Sequence, residues 1–329
     1  MLDYGARVAP AERDACTEAE AAGAAASVRG VPAQVQRTLR VLRRGTGDPT
    51  YRVEYGPDDG PVNAVWRTAL TPEGPATLRA RVGRATGGQD GAGDEGDAVE
   101  LGAWGEGAQW LLKRAPAMLG AEDDPSGFAE LAAAHPILAE AYRTRSQVRL
   151  VRTGLVLQAL IPAILEQKVT TLSAYAAWRR LVRKYGTPAP GPGWMPRDMY
   201  VLPEARVWTL IPSWEWRRAE VDGKRAEAII RACRRAGAIE RLADATVDEA
   251  AAKLQTIPGI GPWTAAETLQ RSHGAQDLVS VGDLHLPRII CGILGEPGDR
   301  AYDDAKMLEL LAPFAPHRQR AVRLLLQKR

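Results

Sequence analysis

The sequence predicts an α+β chain, with a small antiparallel β-rich N-terminal domain ahead of a mainly α-helical region. Three observations carry this. Between residues 35 and 103, apolar residues fall in short alternating or β-branched runs split by Gly, Pro and Asp. From about residue 126 the apolar period lengthens to that of helices, with Pro- and Gly-bearing loops between segments. The chain has 329 residues, 45% of them apolar, which is ample for more than one core.

Residues 1–33 are Ala- and Glu-rich without a clear apolar period, and are expected to be a tail, disordered or loosely helical. The β-rich domain is expected over 34–125. Its five strands are read from "VQRTLRVL", "TYRVEY", "VNAVWRTA", "ATLRARV" and "AVELGAW". A Gly/Asp-rich stretch, 86–98, is expected as a mobile loop between the last two, and a helix follows around "EGAQWLLKRAPAML". The all-α region, 126–329, is expected to hold helices at 126–134, 136–146, 154–167, 171–185, 204–210, 223–237, 247–255, 262–273, 284–294, 303–312 and 317–327.

Charge divides the chain. Residues 1–140 carry 14 Lys and Arg against 21 Asp and Glu, a net −7, whereas 141–329 carry 29 against 19, a net +10. A basic second half suits a polyanionic partner, or simply a solvated arginine-rich surface. Cys16, Cys233 and Cys291 lie too far apart for a zinc site or an iron–sulfur run, and unpaired thiols suit the cytoplasm. The N-terminal stretch lacks the apolar segment of a signal peptide, and no run approaches eighteen apolar residues, so no membrane partner is expected.

The most specific stretch is "TIPGIGPWTA". Thr246 and Glu249 form an S/T-x-x-E capping box that opens one helix, and a second helix begins near Trp263. Gly259 and Gly261 permit a tight turn and close approach of another backbone. Unpaired amides of the turn and of the new helix then make an anion site, to which the helix dipole adds. A DNA phosphate fits at Pro258, Gly259, Ile260 and Gly261, and a monovalent cation on the Thr256, Ile257 and Ile260 carbonyls would help to hold it.

The P-G-I-G turn between two helices resembles the helix-hairpin-helix motif. With Asp283 twenty-two residues beyond Gly261, it resembles the helix-hairpin-helix DNA glycosylase superfamily. "LIPAILEQKVT", "VDGKRAEAIIRACRRA" and "LQTIPGIGPWTA" are similar to its 3-methyladenine DNA glycosylase II (AlkA-like) branch, and the β-rich N-terminal domain fits that branch too.

The resemblance implies that Asp283 is catalytic. It would stabilise an oxocarbenium-like sugar and orient or deprotonate water, while also being placed to cap a helix. It implies a loop at Gln167 and Lys168 that fills the gap left by a flipped base. Lys168 stands where the pattern has leucine, so it acts as wedge or as phosphate contact, or Gln167 fills the gap instead. Trp263 occupies the position of the lysine used by bifunctional members, which implies a monofunctional enzyme that leaves an abasic site. The implied base pocket is Trp263, Glu267 and Leu284. Glu267 and Leu284 replace expected aromatics, and Leu326 is the residue of the last helix aligned with another.

Trp214, Trp216, Trp178 and Tyr175 are further aromatic candidates, though core packing is the simpler reading of each. The expected partner is double-stranded DNA with a damaged purine, met by a monomer without cofactor or iron–sulfur cluster. A non-catalytic DNA- or damage-binding protein, and an enzyme for hypoxanthine or another neutral base, are the alternatives.

Overall fold

The computed structural model describes residues 23–29, 35–56, 62–84, 97–146, 149–296 and 302–326. Most of the expected loop 86–98 and residues 1–22 lie outside these. The chain forms two compact units, one from residues 1–116 and 178–204, the other from 117–177 and 205–329. The antiparallel sheet and the helical remainder are those expected, giving an α+β fold.

The first unit is built on a five-stranded antiparallel sheet in the order β1-β5-β4-β3-β2. These strands are β1 Ala24–Arg29, β2 Tyr51–Tyr55, β3 Val62–Thr71, β4 Gly74–Arg84 and β5 Asp97–Trp104. The strand count matches the expectation, but its membership does not. Residues 24–29, expected in the tail, pair with β5 along the sheet edge. The run at 35–42, expected as a strand, forms helix α1 (Val35–Leu39) and a 3-10 turn. Val35, Thr38 and Leu39 are its buried residues, a spacing that suits one helix face better than alternate strand positions. A two-stranded hairpin, β6 (Thr187–Pro188) with β7 (Tyr200–Val201), belongs to the same unit.

Tryptophan takes the place of scarce phenylalanine in this unit. Trp66 stacks on Trp104, and Trp194 meets both edge-on. Glu54 accepts from the Trp66 indole and from Arg79, whose guanidinium also lies over Trp66 and Trp194. Burial raises the Glu54 carboxyl, but bonds from Arg79 and Trp66 outweigh this and leave it below its usual value. Trp178 is also structural, donating to buried Asp48.

The second unit is helical. Phe128, Leu138, Ile290, Met307, Leu311 and Leu325 anchor one core, formed by α3 (Phe128–Ala133), α4 (Pro136–Arg145), α13 (Leu286–Leu294), α14 (Asp304–Leu311) and α15 (Arg318–Leu326). Helix α5 (Val156–Leu165) is buried at every position. Such an apolar helix needs partners all round, and α9 (Gly223–Cys233), α10 (Ala236–Glu240) and α12 (Pro262–Ser272) pack on it. Its orphan N-terminal amides are met from outside, because Glu240 accepts from Val156 and Leu157. Burial pushes the Glu240 carboxyl up, against the effect of those two bonds.

Helices α3, α4, α5 and α13–α15 fall within the expected ranges, one or two residues shorter at most ends. Two short helices were not anticipated: α8 (Ser213–Arg218) and α10. Trp216 is buried in α8, stacked on Trp208, while Trp214 stands 65% exposed. The segment "APHRQRA" (315–321), which leads into α15, has a structural duty. His317 contacts the Ser126 carbonyl, and Arg320 forms a buried bidentate pair with Asp123.

Candidate functional site

The site grows from α11 (Val247–Gln255), which Thr246 and Glu249 open with the expected capping box. Ile257 and Ile260 are buried, pinning the turn that follows, and the Ile260 amide closes it on the Ile257 carbonyl at 2.9 Å. Pro258 and Gly259 between them are exposed. Gly261 is the N-cap of α12 and Pro262 its first residue, where a missing N–H costs nothing. Among the described residues, the amides of Gly259, Gly261, Trp263 and Thr264 donate to no protein group.

The two glycines have different reasons to be glycine. Gly259 has φ +98°, and a Cβ there would lie 2.9 Å from the Ala228 Cβ on α9. Gly261 has an ordinary φ of −98°, and a Cβ on it would meet nothing. Packing within the chain therefore does not require glycine at 261.

A loop from another part of the chain is fastened to this turn. Gln167, just past α5, donates its side-chain amide to the Gly259 carbonyl and to Thr264 Oγ1, both at 2.8 Å. Of the two residues expected at the wedge, Gln167 is thus drawn back onto the hairpin. Lys168 is exposed, with φ +54°, a left-handed conformation that a non-glycine residue adopts at a cost of about 1–2 kcal/mol.

Buried Arg225 supports this loop from below. It donates to the Leu165 carbonyl at the end of α5, to the Glu220 carbonyl and to Asp222. That explains the Arg of the Lys-Arg-Ala stretch, to which sequence reasoning assigned no role.

Asp283 is reached through Gly282, whose φ is +87° and whose amide donates to Asp304. The Asp283 carboxylate is held from two sides. Oδ1 accepts from the backbone amides of His285 and Leu286 at 2.8 Å each, in the turn that leads into α13. Oδ2 accepts from the Trp263 indole N–H at 2.8 Å. Trp263, expected in the base pocket, is therefore also a positioning residue for Asp283. Helix α13 starts at Leu286 with His285 at its N-cap, two residues later than expected, so Asp283 precedes the cap position and closes the turn leading into the helix.

One turn along α12, Glu267 lies on the same face as Trp263. It is enclosed rather than solvated. Its Oε1 accepts from Ser280 at 2.6 Å, and its Oε2 from Arg271 at 2.7 Å. Gln270 in turn donates to Ser280 and to the Leu278 carbonyl. Burial lowers the Arg271 guanidinium, but Glu267 and then Glu166 outweigh it, and its net shift is upward. Tyr175 lies near enough to Arg271 to add to that shift. Leu284, the third expected pocket residue, stands 85% exposed and Leu326 40% exposed.

No family model matches the sequence, and no curated protein was found to match it. Solved structures match it in fold. One is the 3-methyladenine DNA glycosylase of Archaeoglobus fulgidus, at 15% identity and a TM-score of 0.68, over 91% of this chain and 97% of that one. Another is the 8-oxoguanine glycosylase/lyase of Clostridium acetobutylicum in its apo-form, at 12% identity and 0.64, over 92% and 95%. A third is MBOgg1 in complex with a low-affinity DNA ligand, at 18% identity and 0.65, over 92% and 93%. The chain thus has the α+β fold of these DNA glycosylases.

Proposed function

We propose that this chain is a monofunctional DNA N-glycosylase of the AlkA-like branch, which flips a damaged purine and hydrolyses its glycosidic bond. The observation that carries the reading is the anchored carboxylate of Asp283. Two backbone amides and one indole N–H orient it, in the segment that follows the Gly259–Gly261 turn and its helix.

Such a carboxylate beside C1′ of a flipped nucleotide stabilises the developing oxocarbenium charge and directs the attacking water. The unpaired amides of Gly259, Gly261, Trp263 and Thr264 receive a DNA phosphate. Gly261 supports this, because open space at its Cβ position lets a backbone approach. Lys168 enters the duplex at the vacated position, while Gln167 ties the inserting loop to the phosphate clamp. Trp263 at the place of the bifunctional enzymes' lysine supports hydrolysis without strand cleavage. The same proposal includes a monomer in the cytoplasm and a monovalent cation on the Thr256, Ile257 and Ile260 carbonyls.

The test uses duplexes carrying a single hypoxanthine, 1,N6-ethenoadenine or alkylated purine, with alkali to reveal abasic sites. Base release without strand breakage before alkali is expected, and a borohydride-trapped covalent adduct would refute the monofunctional claim. Duplex affinity should fall as salt rises. A lysine at the wedge position and the exposed Leu284 in place of a pocket aromatic favour a second reading, a damage-binding protein without cleavage. Tight lesion binding with no base release from any duplex would establish that one.

A further inference from the structure

The face of α12 behind Trp263 carries Trp263, Glu267 and Arg271 at successive turns. Two hydrogen bonds link this face to the segment 280–283: Trp263 to Asp283, and Ser280 to Glu267. Trp263 and Glu267 thus lie one turn apart on α12, about 6 Å along its axis, and each is tied to the segment that carries Asp283. With the sugar at Asp283 and the base laid along this face of α12, Glu267 is the side chain one turn beyond Trp263.

Glu267 is built to be a fixed acceptor. Its side chain is only 16% exposed, and Ser280 and Arg271 hold one oxygen each. The serine is itself oriented by Gln270. A carboxylate accepts about four hydrogen bonds, so each oxygen keeps capacity for one more.

Its charge is already matched. Arg271 pairs with it directly, and a second buried guanidinium, Arg323 on α15, lies near Arg271. Burial first, and Arg271 next, push Arg323 down to about 10, with Asp123 opposing and Arg320 adding. A cationic N-alkylpurine would compete with Arg271 for the same carboxylate and would sit beside like charge. A neutral base offering an N–H would instead find an oriented acceptor. A ring carbonyl next to that N–H would face the cationic side of the pair, whereas an exocyclic amino group would turn its own donors toward a donor-only guanidinium.

We propose that Glu267, oriented by Arg271 and Ser280, is the specificity-determining residue, and that among damaged purines the site takes the deaminated ones, neutral 6-oxopurines whose N1–H lies beside the 6-carbonyl. This rests on the glycosylase reading of the Asp283 site. Hypoxanthine has that edge, 1,N6-ethenoadenine has no N–H there, and 3-methyladenine adds a positive charge.

The experiment is single-turnover base release by the full chain, from duplexes with one hypoxanthine or one 1,N6-ethenoadenine and from methylated DNA that yields 3-methyladenine. Hypoxanthine should leave at least ~10-fold faster than either other base, since a site built to bond an N–H rejects analogues lacking it. Glu267→Ala should collapse that ratio toward one. Glu267→Gln keeps the shape and the Ser280 bond, so it serves if the alanine variant does not fold, and should narrow the same ratio.

A wild type that releases 3-methyladenine or ethenoadenine as fast as hypoxanthine overturns the specificity and leaves the glycosylase reading standing. So does an unchanged ratio in folded Glu267 variants. A wild type that releases no base from any duplex overturns the glycosylase reading and the specificity with it.

Discussion

The Gly259–Gly261 turn and the helix face behind it position their groups by different means. In the turn, backbone does the work: two buried isoleucines pin it, one left-handed glycine bends it, and the functional groups are main-chain amides. On the face of α12, side chains hold one another, Trp263 on Asp283 and Arg271 with Ser280 on Glu267. A phosphate is common to every nucleotide and needs only amides. A base must be told from its neighbours, which takes side chains held in one arrangement.

The contrast is easiest to break from beneath. Arg225→Met removes the guanidinium that satisfies the Leu165 and Glu220 carbonyls. It should cost about 2–3 kcal/mol in chemical denaturation, since buried acceptors are left unpaired. It should also slow base release by loosening the Gln167 loop. An unchanged midpoint would show that the loop does not depend on Arg225.

Gly259→Ala should destabilise by about 1–2 kcal/mol, because of its φ of +98° and the 2.9 Å approach to Ala228. Thermal melting reads this. Trp263→Phe tests the helix face. It keeps a ring but loses the donor to Asp283, and should slow single-turnover release about tenfold, with duplex affinity unchanged, as for loss of one oriented donor. A change in affinity alone would make Trp263 a binding residue and not a positioning one.

Gly261→Ala is the smallest change and the sharpest comparison with Gly259. Melting should shift by less than about 0.5 kcal/mol, because the added Cβ meets open space. Affinity should fall several-fold for every duplex alike. Equal affinity with equal stability would remove the phosphate from this turn.

The same contrast governs what could be read from sequence. The turn is local: P-G-I-G, the capping box and the helix after it are contiguous, and all three are where the sequence places them. Arg271 was also within reach, as the i+4 partner of Glu267. The bonds of Gln167 to Gly259 and Thr264 join residues more than ninety positions apart, and no local pattern encodes them. In the sheet, β1 was missed because it is an edge strand with mostly exposed Ala and Ser side chains, so it carries no burial pattern. The run at 35–42 misled because its apolar spacing fits both periods, and burial of Val35, Thr38 and Leu39 selects the helix.

In the proposed reaction the anchored carboxylate of Asp283 drives cleavage of the glycosidic bond. The most direct test is single-turnover base release by Asp283→Asn beside the wild type, on the lesion the wild type removes fastest, with duplex affinity measured for both. The account predicts a loss of at least ~10²-fold in rate, as for removal of an acid–base group, with affinity kept. Equal rates in the two proteins would contradict it.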